Sequence, residues 1–246
     1  MNIQTLINEL LLNPFPIILA TTAIGFVTLL IIVFLYVNKQ YKKTKYYEIT
    51  KNSYLSLIND KGKYGEYLVY KRLKVLENDN NKFLFNIYLP RENNKTTEID
   101  LLLISSKGLF VFESKNYCGW IFGNESNTKW TQVLYDNKHH FFNPIIQNKL
   151  HIKYLKRLVQ ENVPIYSMIV FSDKCKLKDI TIKSKNVSVL NRYDAKTLVS
   201  QICNQTQKDI LTEVEINDIY NKLYLYTQVS SEVKNQHIEN IEKALN

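Results

Sequence analysis

The chain has 246 residues, enough for one substantial domain with accessory segments, and a net charge of +9. That excess of cations fits a polyanionic partner, either nucleic acid or the anionic face of a membrane, and composition alone does not choose between them. Three scattered cysteines, Cys118, Cys175 and Cys203, exclude a disulfide framework and a zinc spacing and read as reduced thiols in a cytosolic compartment.

Residues 1–16 read as a short extracytoplasmic N-terminus. Residues 17–37 are uncharged and almost wholly apolar, about the length that crosses a hydrocarbon core of about 30 Å. The segment has no basic flank before it and no small-residue cleavage site after it, which argues against a signal peptide. Lys39, Lys42, Lys43 and Lys45 follow it at once. The positive-inside bias then places the C-terminal bulk in the cytoplasm of a single-pass cell-membrane protein, with the bilayer as one partner. Residues 38–60 form a basic juxtamembrane linker.

A domain over 61–203 opens with a helix at 61–77, whose stripe is Gly65, Val69, Leu73 and Leu76. Glu66 lies at the edge of that stripe, and the plainer reading makes it an exposed carboxylate beside Tyr70 or Lys71. Phe83, Phe85, Ile87 and Leu89 alternate as a strand. Two apolar runs follow, Glu98 to Ser105 and Leu109 to Lys115, joined by Ser106-Lys107 as a tight hairpin. Both faces of these strands are apolar, which makes them central and covered on both sides.

Charge is out of place in such strands, because an unpaired ion in an apolar layer is costly. Pairing Ser105 with Gly108 sets Asp100 opposite Glu113 and Glu98 opposite Lys115, with Lys115 on the face of Glu113. Two readings remain open. The acids and the lysine form a site for a divalent cation and an anionic substrate, or Asp100 and Glu113 are neutralised by Lys115 in an ionic cluster, with Glu98 as a further partner of the lysine.

Short strands follow around Gly119–Phe122 and Lys129–Leu134, with a turn at Asp136-Asn137 leading into His140–Phe142. Asn143-Pro144 reads as a capped helix start, the helix running to about residue 160 with Gln147, His151, Tyr154 and Leu158 on one side. Strands at Ile165–Phe171 and Asn186–Leu190 and a helix near Asp194–Ile202 complete an α/β domain on a mixed central sheet. Residues 204–246 form a helical tail that packs on the domain, meets a partner or stays free; the pattern does not decide. His139-His140 reads as solvent-exposed rather than as a zinc site. His151 reads as half-buried or as a phosphate contact. Trp120, Trp130, Phe141 and Phe142 fit core packing better than base stacking, and Cys118 is a spectator thiol.

Asp100 with Glu113-Ser114-Lys115 resembles the D-(x)n-E-x-K signature of the PD-(D/E)xK nuclease superfamily. The wider pattern resembles the nuclease-related domain, NERD. It comprises Gly65-Glu66, Glu98-Ile99-Asp100, Lys107-Gly108 through Asn116, Gly119-Trp120-Ile121, Trp130, and Asn143-Pro144 with Gln147-Asn148, over roughly residues 60–160. Ile99, not proline, precedes Asp100. The resemblance implies a restriction-endonuclease-like fold and a metal-dependent nuclease acting on DNA ahead of RNA. It implies that Asp100, Glu113 and the Ser114 carbonyl hold Mg²⁺ or Mn²⁺, and that Lys115 orients water or stabilises the phosphate. Glu66 would serve a second metal position or a bound water, and Gln147 would position water or phosphate. A catalytically inactive module that binds nucleic acid or a protein at the membrane is the alternative.

Overall fold

The computed structural model describes residues 2–3, 15–159 and 162–245, so most of the segment read as an extracytoplasmic N-terminus lies outside the described residues. The chain forms two compact units, Met1–Glu48 and Ile49–Asn246.

The first unit is dominated by α1 (Phe15–Lys42). At 1.5 Å per residue it is about 42 Å long, and its most apolar stretch has a mean hydropathy of 2.7. It is long and apolar enough to cross a membrane. Its polar interruptions are satisfied within the helix, as hydrocarbon requires: Thr21, Thr22 and Thr28 donate to the carbonyls of Ile18, Leu19 and Ile24. The helix continues past Val37 into the stretch read as a linker, and α2 (Lys45–Thr50) follows.

The second unit begins with α3 (Tyr54–Asn59) and α4 (Lys61–Leu73), capped by Ser53 and Asp60. Each cap side chain accepts from otherwise unpaired first-turn amides. Gly65, Val69 and Leu73 are buried along α4 as the stripe predicts, and a 3₁₀ turn continues to Leu76. A five-stranded sheet follows with order β1-β2-β3-β7-β9: β1 (Asn81–Pro90), β2 (Thr96–Ser105), β3 (Gly108–Lys115), β7 (Ile165–Phe171) and β9 (Val187–Asn191). The first three strands are antiparallel, and β7 and β9 add in parallel. Ser105 pairs with Gly108, as the hairpin predicts. Gly108 has φ +129°, and a Cβ there would lie 2.6 Å from the Pro164 carbonyl oxygen, so only glycine fits.

The short strands do not join this sheet. β4 (Gly119–Asn124), β5 (Lys129–Leu134), β6 (Asn137–Phe142) and β8 (Cys175–Thr181) form a second sheet of order β6-β5-β4-β8. The mixed central sheet read from the sequence is thus joined by a second mixed sheet. Gly119, at φ +81° and packed on the Val133 carbonyl, turns the chain away after β3. The two sheets meet through Ile121, Trp130, Ile169 and Phe171, with the Trp130 and Phe171 rings stacked at 6.1 Å.

Asn143 caps α5 (Pro144–Leu155) by accepting from the Ile145 amide. This helix stops at Leu155, short of residue 160, in tight turns: Leu158 N–H bonds Leu155 O, and the Leu158 carbonyl is taken by Lys222. α6 (Ala195–Gln205), α7 (Glu213–Tyr224) and α8 (Ser231–Leu245) complete the unit. The tail packs on the domain. Ile216, Ile219 and Leu223 of α7 are buried, Lys82 of β1 bonds Asn217, and His237 of α8 lies edge-on to Tyr88 of β1. Mixed α/β architecture with flanking helices is therefore the observed fold.

Candidate active site

The backbone ladder opens at Asp100 on both sides. β1–β2 pairs run from Asn81–Ser105 to Phe85–Leu101, skip one position, and resume at Ile87–Ile99. β2–β3 pairs stop at Leu101–Phe112. The direct Asp100–Glu113 pair expected from the hairpin thus falls one step beyond the ladder, and Asp100 Oδ2 instead accepts the Ser114 N–H at 2.9 Å. Opposite Asp100 on β1 lies Asn86, at φ +49°, a left-handed conformation that asparagine tolerates better than most residues. Its Nδ2 donates to Glu66 Oε2 at 3.1 Å and Glu98 Oε1 at 3.0 Å.

Glu113 lies at the other end of the cluster and is 1% exposed. Lys115 Nζ is 2.7 Å from its Oε1, and His151 Nε2 is 3.1 Å from its Oε2. His151 Nδ1 is held in turn by Thr97 Oγ1 at 2.6 Å. Lys115 Nζ also donates to Gln147 Oε1 at 3.0 Å. Helix α5 supplies Gln147 and His151, and Asn148 beside them pins α5 by donating to Val111 O and Ser167 Oγ, both at 2.9 Å. On the other side α4 comes close because Gly65 lacks a side chain: a Cβ there would lie 2.6 Å from Asn116 Cβ and 3.4 Å from Ser114 Oγ. That approach delivers Glu66.

Two expectations are corrected here. Glu98 does not pair with Lys115, because the ladder ends before that register; it bonds Asn86 and lies 3.6 Å from His237 Nε2. Glu66 is not an exposed carboxylate beside Tyr70 or Lys71. It is half-buried on Asn86, while the Tyr70 hydroxyl goes to Glu77.

The electrostatics divide the site. Burial opposes charge on Glu113, but Lys115 and His151 outweigh it and hold the carboxyl below its ordinary range. Burial likewise opposes charge on Lys115, and Glu113 more than restores it, so the ammonium titrates above its usual value. Asp100 goes the other way. Burial, then repulsion from Glu113 and Glu66, push it well above the ordinary value despite the Ser114 amide. Glu66 is pushed up to about 8 by burial and then by Glu98. Stacked carboxylates of this kind repel unless protons or a cation intervene.

Among the described residues no group of three His, Cys, Asp or Glu side chains is preassembled to hold a metal ion. Mg²⁺ asks for less: one or two carboxylates, with waters filling the remaining positions. Asp100 and Glu66 favour holding protons, which a hard cation can replace, whereas both Glu113 oxygens already have cationic or hydrogen-bonding partners.

The remaining candidates separate by exposure. His139 and His140 are exposed on β6. Trp130 is buried and Phe141 packs beside it, whereas Trp120 and Phe142 are 48% and 41% exposed, against the core reading of both. All three cysteines are free thiols, and burial pushes Cys175 up to about 12. Asn86 and His237 were missed. Asn86 had a signal, a polar residue inside Phe83–Leu89; His237 had none.

Residues 61–172 match the nuclease-related domain family, NERD. The chain is also 36% identical over 180 residues to an uncharacterized protein of Bacillus anthracis, a match covering 73% of this chain and 82% of that one. The chain belongs to the NERD family.

Proposed function

We propose that the protein is a metal-dependent nuclease, tethered to the cell membrane by α1 with its second unit in the cytoplasm, that hydrolyses phosphodiester bonds in DNA ahead of RNA. The observation that carries this reading is the opening of both ladders at Asp100, where a carboxylate at raised pKa stands beside a charged, held lysine.

Asp100, Glu113 and the Ser114 carbonyl would hold Mg²⁺ or Mn²⁺, with Glu66 at a second position or on a bound water. Such a cation lowers the pKa of bound water and draws charge from a phosphoryl oxygen. Lys115 keeps its charge because Glu113 and Gln147 hold it, and it offsets the negative charge that the phosphate gains in the transition state. Gln147 fixes the direction of Lys115 Nζ. Thr97 and His151 fix Glu113 and keep its Oε2 from turning away.

The test is cleavage of single- and double-stranded DNA and RNA by the full-length chain in detergent, with and without Mg²⁺ or Mn²⁺. The wild type should cut only with metal, and Lys115→Ala should not cut. Equal inertness of both proteins on every substrate contradicts the enzymatic reading. Topology has a separate test: a reporter fused after Asn246 should be active in the cytoplasm, and an exported reporter overturns the orientation.

One observation favours a second reading. Both oxygens of Glu113 are already engaged by Lys115 and His151, as in a self-neutralised cluster. In that case the module binds nucleic acid or a protein partner without cutting. Metal-independent binding that survives Asp100→Ala and Glu113→Ala supports it.

A further inference from the structure

The second sheet has one face turned to the core and one turned outward. Ile121, Trp130 and Leu177 point inward. Alternation along a strand then puts Trp120 and Phe122 of β4 outward. Register carries that face across the sheet: Trp120 pairs with Val133 and with Lys176, Val133 with Lys138, and Lys129 with Phe142. A register shift after Ile121 brings in Lys178 as well, and its Nζ sits 4.8 Å from the centroid of the Trp120 ring.

The outward face therefore carries Lys129, Lys138, Lys176 and Lys178, all exposed, around two aromatic side chains at 48% and 41% exposure. Asp179 is the acid that shares it, opposite Phe122. At that exposure the two side chains leave flat apolar rings open to water. A positive face with exposed rings is the chemistry that takes single-stranded nucleic acid, where lysines follow the phosphates and bases stack on rings. Duplex DNA buries its base faces and offers no ring to stack.

Location favours the same ligand over an anionic bilayer, which lysines with a tryptophan would also attract. Trp120 is five residues after Lys115, so their Cα atoms are at most about 18 Å apart. A strand lying on this face is thus within a few nucleotides of the acid–lysine cluster.

We propose that the outward face of the second sheet is a binding platform for single-stranded nucleic acid, centred on Trp120, that feeds the strand to the Asp100–Lys115 site. The platform deepens the nuclease reading and rests on it for its purpose, but its binding does not depend on cleavage. A base stacks on Trp120, the Lys178 ammonium moves from the ring to a phosphate, and Lys176 and Lys138 hold neighbouring phosphates.

The test uses the full-length chain in detergent with a fluorescent oligothymidylate 20-mer, the matching duplex, and vesicles containing anionic phospholipid, all without added metal. The wild type should bind the single strand more tightly than the duplex. Trp120→Ala should weaken single-strand binding about 5- to 150-fold, the range for one lost stacked base. Lys176→Ala with Lys178→Ala should weaken it and flatten its dependence on salt. Trp120→Phe should keep most of the affinity while losing the tryptophan quenching that the oligonucleotide causes in wild type, since Trp130 is buried.

The two readouts separate the two proposals: strand binding is measured without metal, where no cleavage is expected, and cleavage is measured with it. Inertness of wild type in the cleavage assay, with Trp120-dependent binding intact, removes the nuclease reading and leaves the platform. Unchanged single-strand binding by a folded Trp120→Ala overturns the platform. So does equal affinity for duplex, or a loss seen only with vesicles, which would assign the face to lipid.

Discussion

Glu113 and Asp100 stand on neighbouring strands, each one step past the end of the same ladder, yet their charges are balanced in opposite ways. Glu113 has Lys115 and His151 on its two oxygens and titrates low. Asp100 has one backbone amide, faces Glu66 and Glu113, and titrates high. The first half of the site is stable as it stands. The second half, once ionised, has more negative charge than its surroundings offset, which is the condition under which a cation gains affinity and a fold gives up stability.

The largest effect expected from disturbing this contrast comes from Lys115→Ala. It leaves Glu113 buried without its main partner, which costs about 3–5 kcal/mol, and cleavage should fall about 100-fold or more. A thermal melt and a timed cleavage assay read the two effects. Retention of both stability and cutting would mean that Glu113 does not depend on the lysine.

The pH dependence of the metal-free protein comes next. Glu66 at about 8 lies above its ordinary 4.5, so the folded chain holds a proton that the unfolded chain releases. Its contribution to stability is complete below about pH 4.5 and is lost as pH rises through about 8. Asp100 shifts in the same direction. Glu113 has the opposite sign: its contribution is present above pH 4.5 and is lost only as pH falls through its lowered value. Melting temperatures in chelator should therefore decline from pH 5 to 9, and added Mg²⁺ should flatten the decline. A curve that rises over this range contradicts the division of the site.

A smaller effect, of opposite sign to Lys115→Ala, is expected from Asp100→Asn. The amide oxygen still accepts the Ser114 N–H, while the cost of holding a carboxyl against burial and against Glu113 and Glu66 disappears. Metal-free stability should rise by about 1 kcal/mol, or about 2–4 °C for a unit of this size. A fall in melting temperature would mean that the Asp100 carboxyl is not disfavoured by its burial and its neighbours.

The elements that set this contrast were unequally legible in the sequence. The hairpin through Ser106-Lys107, the Asn143-Pro144 cap and the apolar runs of β2 and β3 follow from local rules, and each formed where the pattern placed it. The second sheet followed in part: its strands β4, β5 and β6 formed where the pattern placed them, and β8 was not read. β8 carries Lys176, Lys178 and Asp179 between half-buried residues, and a strand with one solvated face and a register shift breaks the alternation that identifies strands. At the site, the spacing of Asp100, Glu113 and Lys115 brought the right residues into view. The ladder opening, which depends on the left-handed Asn86, moved Glu98 away from the lysine. Long-range packing also escaped local rules: Gly65 lets α4 reach Ser114 and Asn116, and α8 brings His237 to Glu98 from 139 positions further along the chain.

Calorimetric titration of Mn²⁺ into the full-length chain at pH 8 probes the unbalanced half of the site without requiring turnover. Wild type should take up the ion with release of protons, Lys115→Arg should still take it up, and Asp100→Asn should not. Equal uptake by wild type and Asp100→Asn, or no uptake by wild type, would mean that the acids at Asp100 and Glu66 are balanced by protons alone and hold no metal.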